Sequence, residues 1–193
     1  KLVLAELLAQ IGNSTDAGLA LELASIHPTI LHALVNAARE RNLQAPANAA
    51  ELLNVPLKIN ATRAGAVQLI GAWKLNAHAE SILALATGQT EPLAVRVAAA
   101  VALGQLKIPQ AVETLASLVT VNGAADLRVA ALGSLAKHDV ARAAQLTARL
   151  SGQVKPDVLG PVLAALLQRN TGADAMAGAL GEAEVSADTA KLI

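Results

Sequence analysis

The side chains in this sequence best suited to binding a metal ion are its four histidines, His27, His32, His78 and His138. Two histidines on one helix reach the same metal when they lie four residues apart, and no pair here has that spacing. The chain also contains no cysteine, which excludes disulfides, thiolate metal sites and covalent haem attachment within these residues. We therefore expect histidines on the surface or in turns, and neither a metal site nor another cofactor.

The sequence motifs for a serine nucleophile and for a phosphate-binding loop contain glycines at fixed positions relative to other residues. Gly12 does not belong to a Gly-x-Ser-x-Gly elbow, and with the Asn and Ser that follow it fits the end of a helix and a turn. Gly172, Gly178 and Gly181 have no strand before them and no Lys-Ser or Lys-Thr after them, so we expect close helix packing there. Asp139 falls at a predicted helix boundary, where it fits an N-cap. The sequence thus predicts no catalytic residue and no enzyme.

Three arginines occupy the same position of a repeated pattern. Arg96 lies 33 residues after Arg63, and Arg128 lies 32 residues after Arg96. Arginines repeated on one helix of each unit could line a surface and bind a protein partner. Alternatively, each could pack its stem on the preceding turn and donate hydrogen bonds to carbonyls there. We favour the structural role and keep the three arginines as candidate partner-binding residues.

Trp73 is the only aromatic residue besides the histidines, and it lies near the end of a motif helix. An exposed tryptophan is a favoured anchor at protein interfaces. In a chain rich in alanine, it more often fills a gap between helices, with its N–H bonded to a partner. We favour packing, and keep Trp73 as the fourth candidate partner-binding residue.

The arginines belong to a sequence repeat, which defines the elements that position them. Its clearest copy, residues 95–104, reads VRVAAAVALG, and similar copies occupy residues 62–71 and 127–136. Weaker copies without the arginine lie near residues 30–38 and 160–167. A period of this length accommodates two helices and short turns.

Helix boundaries follow from the prolines and the apolar spacing. Pro92, Pro109 and Pro156 each fit the first turn of a helix, where the missing N–H costs nothing. Apolar residues recur at three- and four-residue spacing, giving one-sided stripes that a lone hairpin cannot bury. Motif helices are predicted near residues 28–42, 61–75, 92–107, 125–137 and 156–169, with intervening helices that include one ending near 121–123 and one at about 139–151. The pattern predicts an all-α superhelix, or solenoid, of about five to six helical hairpins in a single domain over residues 1–193.

Composition agrees with this fold and restricts the possible partners. The chain has 45 alanines and 33 leucines but no Phe or Tyr, which favours helices packed across small side chains. Fifteen basic and fifteen acidic residues cancel, which argues against nucleic acid as a partner. No apolar run is long enough to insert this segment into a membrane. The chain begins at Lys1, and residues 186–193 begin a helix in the phase of the next motif helix and then stop, so we interpret it as a fragment of a longer protein.

The motif at residues 95–104 resembles the second helix of a HEAT repeat, in particular the HEAT variants of phycobilisome-lyase type. It shares the sequence Val95-Arg96-x-x-Ala99-Ala100-x-Ala102-Leu103-Gly104 with them. HEAT repeats often place an aspartate six residues before the arginine, where the two form a ladder between repeats. The corresponding positions here are Leu57, Thr90 and Asn122, so we do not expect an aspartate ladder.

A second resemblance covers the whole chain. The alanine-rich order of units, and especially residues 166–180 and 186–192, is similar to the HEAT segment of large planctomycete and verrucomicrobial proteins. That segment lies between a propeller-like dehydrogenase domain and a cytochrome c domain. The resemblance implies an exported, periplasmic, multidomain redox protein, and the absence of Cys-x-x-Cys-His here places any haem outside this chain.

Two functions from different classes fit these observations. The first is a non-catalytic scaffold, either a spacer between flanking domains of the same chain or a docking surface for a protein partner. The second is a lyase- or chaperone-like HEAT protein that acts on a chromophore-bearing partner. The second would need a polar cluster and a reactive side chain, so we favour the scaffold.

Overall fold

A computed structural model describes residues 2–24, 27–120, 124–151 and 156–181 of the chain. These residues form helices and turns, and no strand occurs among them. The prediction of an all-α fold is therefore confirmed for this part of the chain. The helix expected at residues 186–193 and the helix end expected at residues 121–123 lie outside it.

The helices fall into two compact units, Lys1–Lys107 and Ile108–Ile193. The first unit contains, in chain order, α1 (Leu2–Ile11), α2 (Ser14–Ala24), α3 (Pro28–Glu40), α4 (Ala49–Leu52), α5 (Asn54–Lys58), α6 (Asn60–Ala72), a single 3-10 turn (Asn76–His78), α7 (Ala79–Thr87) and α8 (Leu93–Leu103). The second unit contains α9 (Gln110–Thr120), α10 (Ala125–Leu135), α11 (Val140–Leu150), α12 (Pro156–Leu167) and α13 (Gly172–Gly181).

The first unit is built around a row of four helices, α1, α3, α6 and α8, in which each helix contacts the next. Three of the remaining helices pack along this row, with α2 on α1 and α3, α5 on α6, and α7 on α8, while α4 contacts α2 and α5. Each row helix therefore packs against a neighbour in the row and against a helix beside it. This arrangement is the one expected for the motif helices near residues 28–42, 61–75 and 92–107.

Small residues let the row helices approach each other closely. A Cβ placed on Gly71 in α6 would lie 2.8 Å from the Cα of Ala102 in α8. A Cβ on Gly65 would lie 3.1 Å from the Cβ of Leu31 in α3. Ala99, one turn before Ala102, is fully buried. The small positions of the repeated motif are thus the contact points between neighbouring row helices.

The second unit repeats the plan within its own helices. Helix α10 contacts both α9 and α12, while α11 contacts α13. Asp139 caps α11, because its carboxylate accepts a hydrogen bond from the backbone N–H of Arg142 at 2.9 Å. The N-cap predicted at this residue is confirmed.

Motif helices begin close to the predicted residues but end earlier. Helix α6 stops at Ala72 rather than near residue 75, because Lys74 adopts a left-handed conformation with φ of 55°. The N–H of Leu75 then bonds the carbonyl oxygen of Ile70 at 3.0 Å, which closes the helix end. This position usually carries a glycine, so a lysine there gives no sequence signal of a helix end.

Candidate functional site

Arg63 connects two successive hairpins of the first unit. Its Nε donates to the carbonyl oxygen of Leu57 at 2.8 Å, and its Nη2 donates to that of Lys58 at 3.3 Å. Its Nη1 forms an ion pair with Oε2 of Glu91 at 2.9 Å, in the turn before α8. Both side chains are mostly buried, with exposures of 19% and 23%. The end of α5 is thereby tied to the turn that precedes the next row helix.

Arg63 makes these contacts although no aspartate lies six residues before it. The acceptor six residues before Arg63 is the backbone carbonyl of Leu57, so the side chain at that position is not needed for the hydrogen bond. The acidic partner is Glu91, which lies one residue after Thr90, the ladder position of the next unit. The glutamate side chain is longer than that of an aspartate, and from position 91 it reaches Arg63. The two hairpins are therefore joined by an ion pair without an aspartate.

The other two motif arginines make different contacts. Arg96 donates from Nε to the carbonyl oxygen of Ala86, in the last turn of α7, at 3.4 Å. Arg128 has a buried Nε for which the described residues provide no hydrogen-bond acceptor. The position six residues before it, Asn122, lies outside the described residues. The carbonyl contacts expected for a structural arginine are thus present at Arg63 and Arg96.

Trp73 and His78 hold the segment between α3 and α5. The indole Nε1 of Trp73, at the end of α6, donates to the carbonyl oxygen of Leu43 at 2.8 Å, and the side chain is half-buried. Nε2 of His78 lies 2.8 Å from the carbonyl oxygen of Ala50, and this histidine is buried. Each of these two contacts thus joins one hairpin to the preceding one.

The histidines lie apart from one another along the chain. His27 directly precedes α3, His32 is exposed on α3, and His138 lies in the turn before α11. His78 lies in a turn, as expected, and its side chain is buried. The carbonyl partner of its ring nitrogen provides a hydrogen bond in this buried position. In the part of the chain that the structure describes, no group of three or more His, Asp or Glu side chains could hold a metal ion.

The glycines singled out near the C-terminal end differ among themselves. A Cβ on Gly172 would lie 1.8 Å from the carbonyl oxygen of Leu166, so the close approach expected there is present. Among the described residues, a Cβ on Gly178 or Gly181 would meet nothing within 4 Å. The close packing expected at these two glycines is therefore not seen within this part of the chain.

A groove of 580 Å³ runs between α1 and α3 on the surface of the first unit. The polar residues that line it include Glu6, Gln10, His32, Asn36, Glu40 and Arg41. Arg41 also donates from Nη2 to the carbonyl oxygens of Ala9 and Gly12, at 3.4 and 3.5 Å, and so joins the end of α3 to the end of α1. Carboxylates, amides and an imidazole in one groove can hydrogen-bond to the backbone or polar side chains of a bound peptide.

Sequence reasoning missed this groove because its residues come from two helices outside the strong repeat copies. One signal was available. His32, Asn36 and Glu40 follow each other at four-residue spacing in a helix whose other positions are largely buried and apolar. Polar residues in that register mark the side of α3 that is not packed into the core and that lines the groove.

None of the described helices combines the length and the apolar character that crossing a bilayer requires. Comparison of the chain with known protein families, with curated proteins and with solved structures found no match.

Proposed function

We propose that this chain is a non-catalytic scaffold in which HEAT-like hairpins stack into one solenoid. It would serve as a spacer between flanking domains, or as a docking segment for a protein partner, within a larger exported redox protein. The observation that carries the proposal is the ion pair of Arg63 with Glu91, together with the carbonyl contacts of the same arginine. A polar cross-link between successive hairpins fixes their relative positions, which a spacer or a docking surface requires.

Three further contacts support the same role. In each, a side-chain nitrogen lies within hydrogen-bond distance of a backbone carbonyl oxygen of the preceding hairpin; the side chains are those of Trp73, His78 and Arg41. Backbone carbonyls cannot titrate, and their positions are set by the helices themselves. These three polar side chains are therefore engaged in joining hairpins.

The groove between α1 and α3 is the docking surface that we assign to this scaffold. Its polar, mixed-charge lining suits a peptide segment that offers both hydrogen-bond donors and acceptors. The exported compartment and the redox partner domains rest on the resemblance to planctomycete and verrucomicrobial proteins. The DNA on either side of this coding region tests that part, because dehydrogenase and Cys-x-x-Cys-His regions should flank it.

Small-angle X-ray scattering of the purified chain tests the solenoid. A compact domain of 193 residues has a radius of gyration of about 16 Å. Row helices spaced roughly 8–10 Å apart along one axis give a longer particle and a clearly larger radius. A radius near the compact value, with a globular distance distribution, would contradict the solenoid and with it the spacer.

A further inference from the structure

A small groove lies between α9 and α11 on the surface of the second unit, with a volume of 310 Å³. Its lining includes six side chains, which are Glu113 and Ala116 of α9 and Arg142, Gln145, Leu146 and Arg149 of α11. We call these six residues the α9–α11 notch. The groove between α1 and α3 belongs to the other unit and shares no residue with the notch.

The two arginines of the notch occupy the same side of α11. Arg149 follows Arg142 by seven residues, which is about two helical turns and about 10 Å along the helix axis. Gln145 lies between them on the same side, three residues after Arg142. The α11 wall of the notch therefore presents a guanidinium group at each end and an amide between them.

The two guanidinium groups differ in their partners. Arg142 donates two hydrogen bonds to the carboxylate of Glu113 on the opposite wall. Arg149 forms no ion pair with any residue that the structure describes. Glu113 is the only acidic residue of α9, and α11 contains none. Two guanidinium groups and one carboxylate give the notch a net charge of +1, and Arg149 carries the charge that is not neutralised.

We propose that the α9–α11 notch binds a glutamate side chain from an acidic segment of a protein partner. The carboxylate accepts hydrogen bonds from the Arg149 guanidinium, whose planar fork matches the two carboxylate oxygens. The side-chain amide of Gln145 donates a further hydrogen bond to the same carboxylate. Ala116 and Leu146 are the apolar part of the lining, and they pack against the methylene groups of the bound glutamate.

The size and charge of the notch favour this ligand over two other anions. Its volume lies at the lower end of the range of about 300–1,000 Å³ for ligand pockets, which suits one side chain with its adjoining backbone. A phosphate group carries a charge of about −2 near neutral pH, which is more than the notch neutralises. A nucleic-acid backbone requires several adjacent cations, whereas one arginine is uncompensated here. A single carboxylate matches that arginine.

The inference goes beyond the proposed function, which assigns docking to the groove between α1 and α3 in the first unit. Arg149 is exposed, and an ion pair at an exposed site contributes little binding energy. We therefore expect a dissociation constant on the order of 1 mM for a short peptide. A method that detects weak binding at individual residues is required.

Nuclear magnetic resonance titration of the ¹⁵N-labelled chain with a capped peptide of alternating serine and glutamate measures this binding. Backbone amides at residues 113–117 and 142–149, and the side-chain amide of Gln145, should shift with one dissociation constant as the peptide reaches about 10 mM. The same peptide with glutamine in place of glutamate should shift these signals at least about five times less. Inorganic phosphate should also bind at least about five times more weakly than the acidic peptide.

Substitution of Arg149 tests which side chain holds the ligand. Arg149→Gln should raise the dissociation constant about fivefold, because the ligand carboxylate loses its ion pair. Arg39→Gln is the matched control, since Arg39 is also exposed in the last turn of its helix, α3; it should change the constant less than about twofold. Glu113→Gln should lower the constant, because it releases Arg142 and raises the positive charge of the notch.

The proposal is overturned if the acidic peptide shifts no signal of the notch, or if Arg149→Gln and Arg39→Gln weaken binding equally. Phosphate that binds as tightly as the peptide would also overturn it, because the notch would then be a site for small anions. Circular dichroism of each variant checks that a change in binding does not arise from unfolding.

Discussion

At the scale of single residues, the repeated arginines show that equal motif positions do not give equal contacts. Only one residue, Ile59, separates α5 from α6, so the carbonyls at the end of α5 lie within reach of Arg63. Five residues separate α7 from α8, and Arg96 reaches a single carbonyl there at 3.4 Å. The length of the preceding turn therefore decides how firmly each arginine is held.

We expect Arg63→Met to destabilise the first unit by roughly 1–3 kcal/mol, because three acceptors lose their donor while the apolar stem is kept. Arg96→Met is the matched control and should cost less than about 1 kcal/mol, since one long hydrogen bond is lost. The fluorescence of Trp73, the only tryptophan, reports urea unfolding of this unit in both variants. Equal losses in the two variants would contradict the cross-linking role of Arg63.

The pair Glu113 and Arg142 is a second residue-scale contact, which joins α9 to α11 by two hydrogen bonds. The hydrogen bond from Arg142 lowers the pKa of the Glu113 carboxyl below its ordinary value of 4.5. A lowered pKa in the folded state stabilises the fold above the ordinary pKa, and this contribution is lost as the pH falls through the lowered value. Because Glu113 is exposed and Arg142 is partly exposed, the contribution is small and screened by salt.

Comparison of the unmodified chain with Glu113→Gln at several pH values tests this pair. The variant should unfold at slightly lower urea concentration at pH 7 in low salt. The difference should disappear as the pH falls through the lowered pKa of Glu113, because residue 113 is then uncharged in both proteins. It should also shrink in about 0.5 M salt. A difference that is constant across this pH range would show that the ionic contact contributes nothing.

At the scale of helices, Gly71 lets α6 approach the backbone of α8 at Ala102 closely. A side chain on Gly71 would meet the backbone of α8, which cannot rotate away as a flexible side chain can. Gly133 on α10 is the contrasting case, because a Cβ there would meet nothing within 4 Å. The same residue type thus sets helix spacing in one place and not in the other.

Gly71→Ala should therefore destabilise the chain by about 1–3 kcal/mol, because α6 and α8 must move apart to accommodate the methyl group. Gly133→Ala should stabilise it by up to about 1 kcal/mol, because alanine favours a helix interior and has free space here. Denaturation followed by circular dichroism measures both variants. A stabilised Gly71→Ala variant would mean that the row helices are spaced more widely than described.

At the scale of the whole molecule, stability should depend on how many neighbours each helix has. Helix α6 lies between α3 and α8 and also contacts α5, whereas α1 contacts α2 and α3 and exposes its outer face. In stacked repeats, an element with a neighbour on one side only opens at lower free energy. Hydrogen exchange should therefore be faster in α1 than in α6. Equal protection of the two helices would indicate a single cooperative core instead of stacked hairpins.

The amino-acid sequence by itself determined the helical class, the positions of most motif helices and the N-cap at Asp139. These features depend on local spacing, on proline positions and on short-range hydrogen bonds, which are written directly into neighbouring residues. It also predicted the small side chains at helix contacts, because the repeat places alanine and glycine at fixed offsets. The early end of α6 was missed, since Lys74 adopts a conformation that the residue type does not reveal.

Only the tertiary structure decided which residues meet across hairpins. Arg63 and Glu91 are 28 residues apart, and the partners of Trp73 and His78 are backbone carbonyls that have no sequence signature. The polar groove likewise combines two helices whose relative rotation no local pattern fixes. Contacts between distant segments depend on how the apolar stripes of neighbouring helices pack together, and that packing sets the direction of every polar side chain around them.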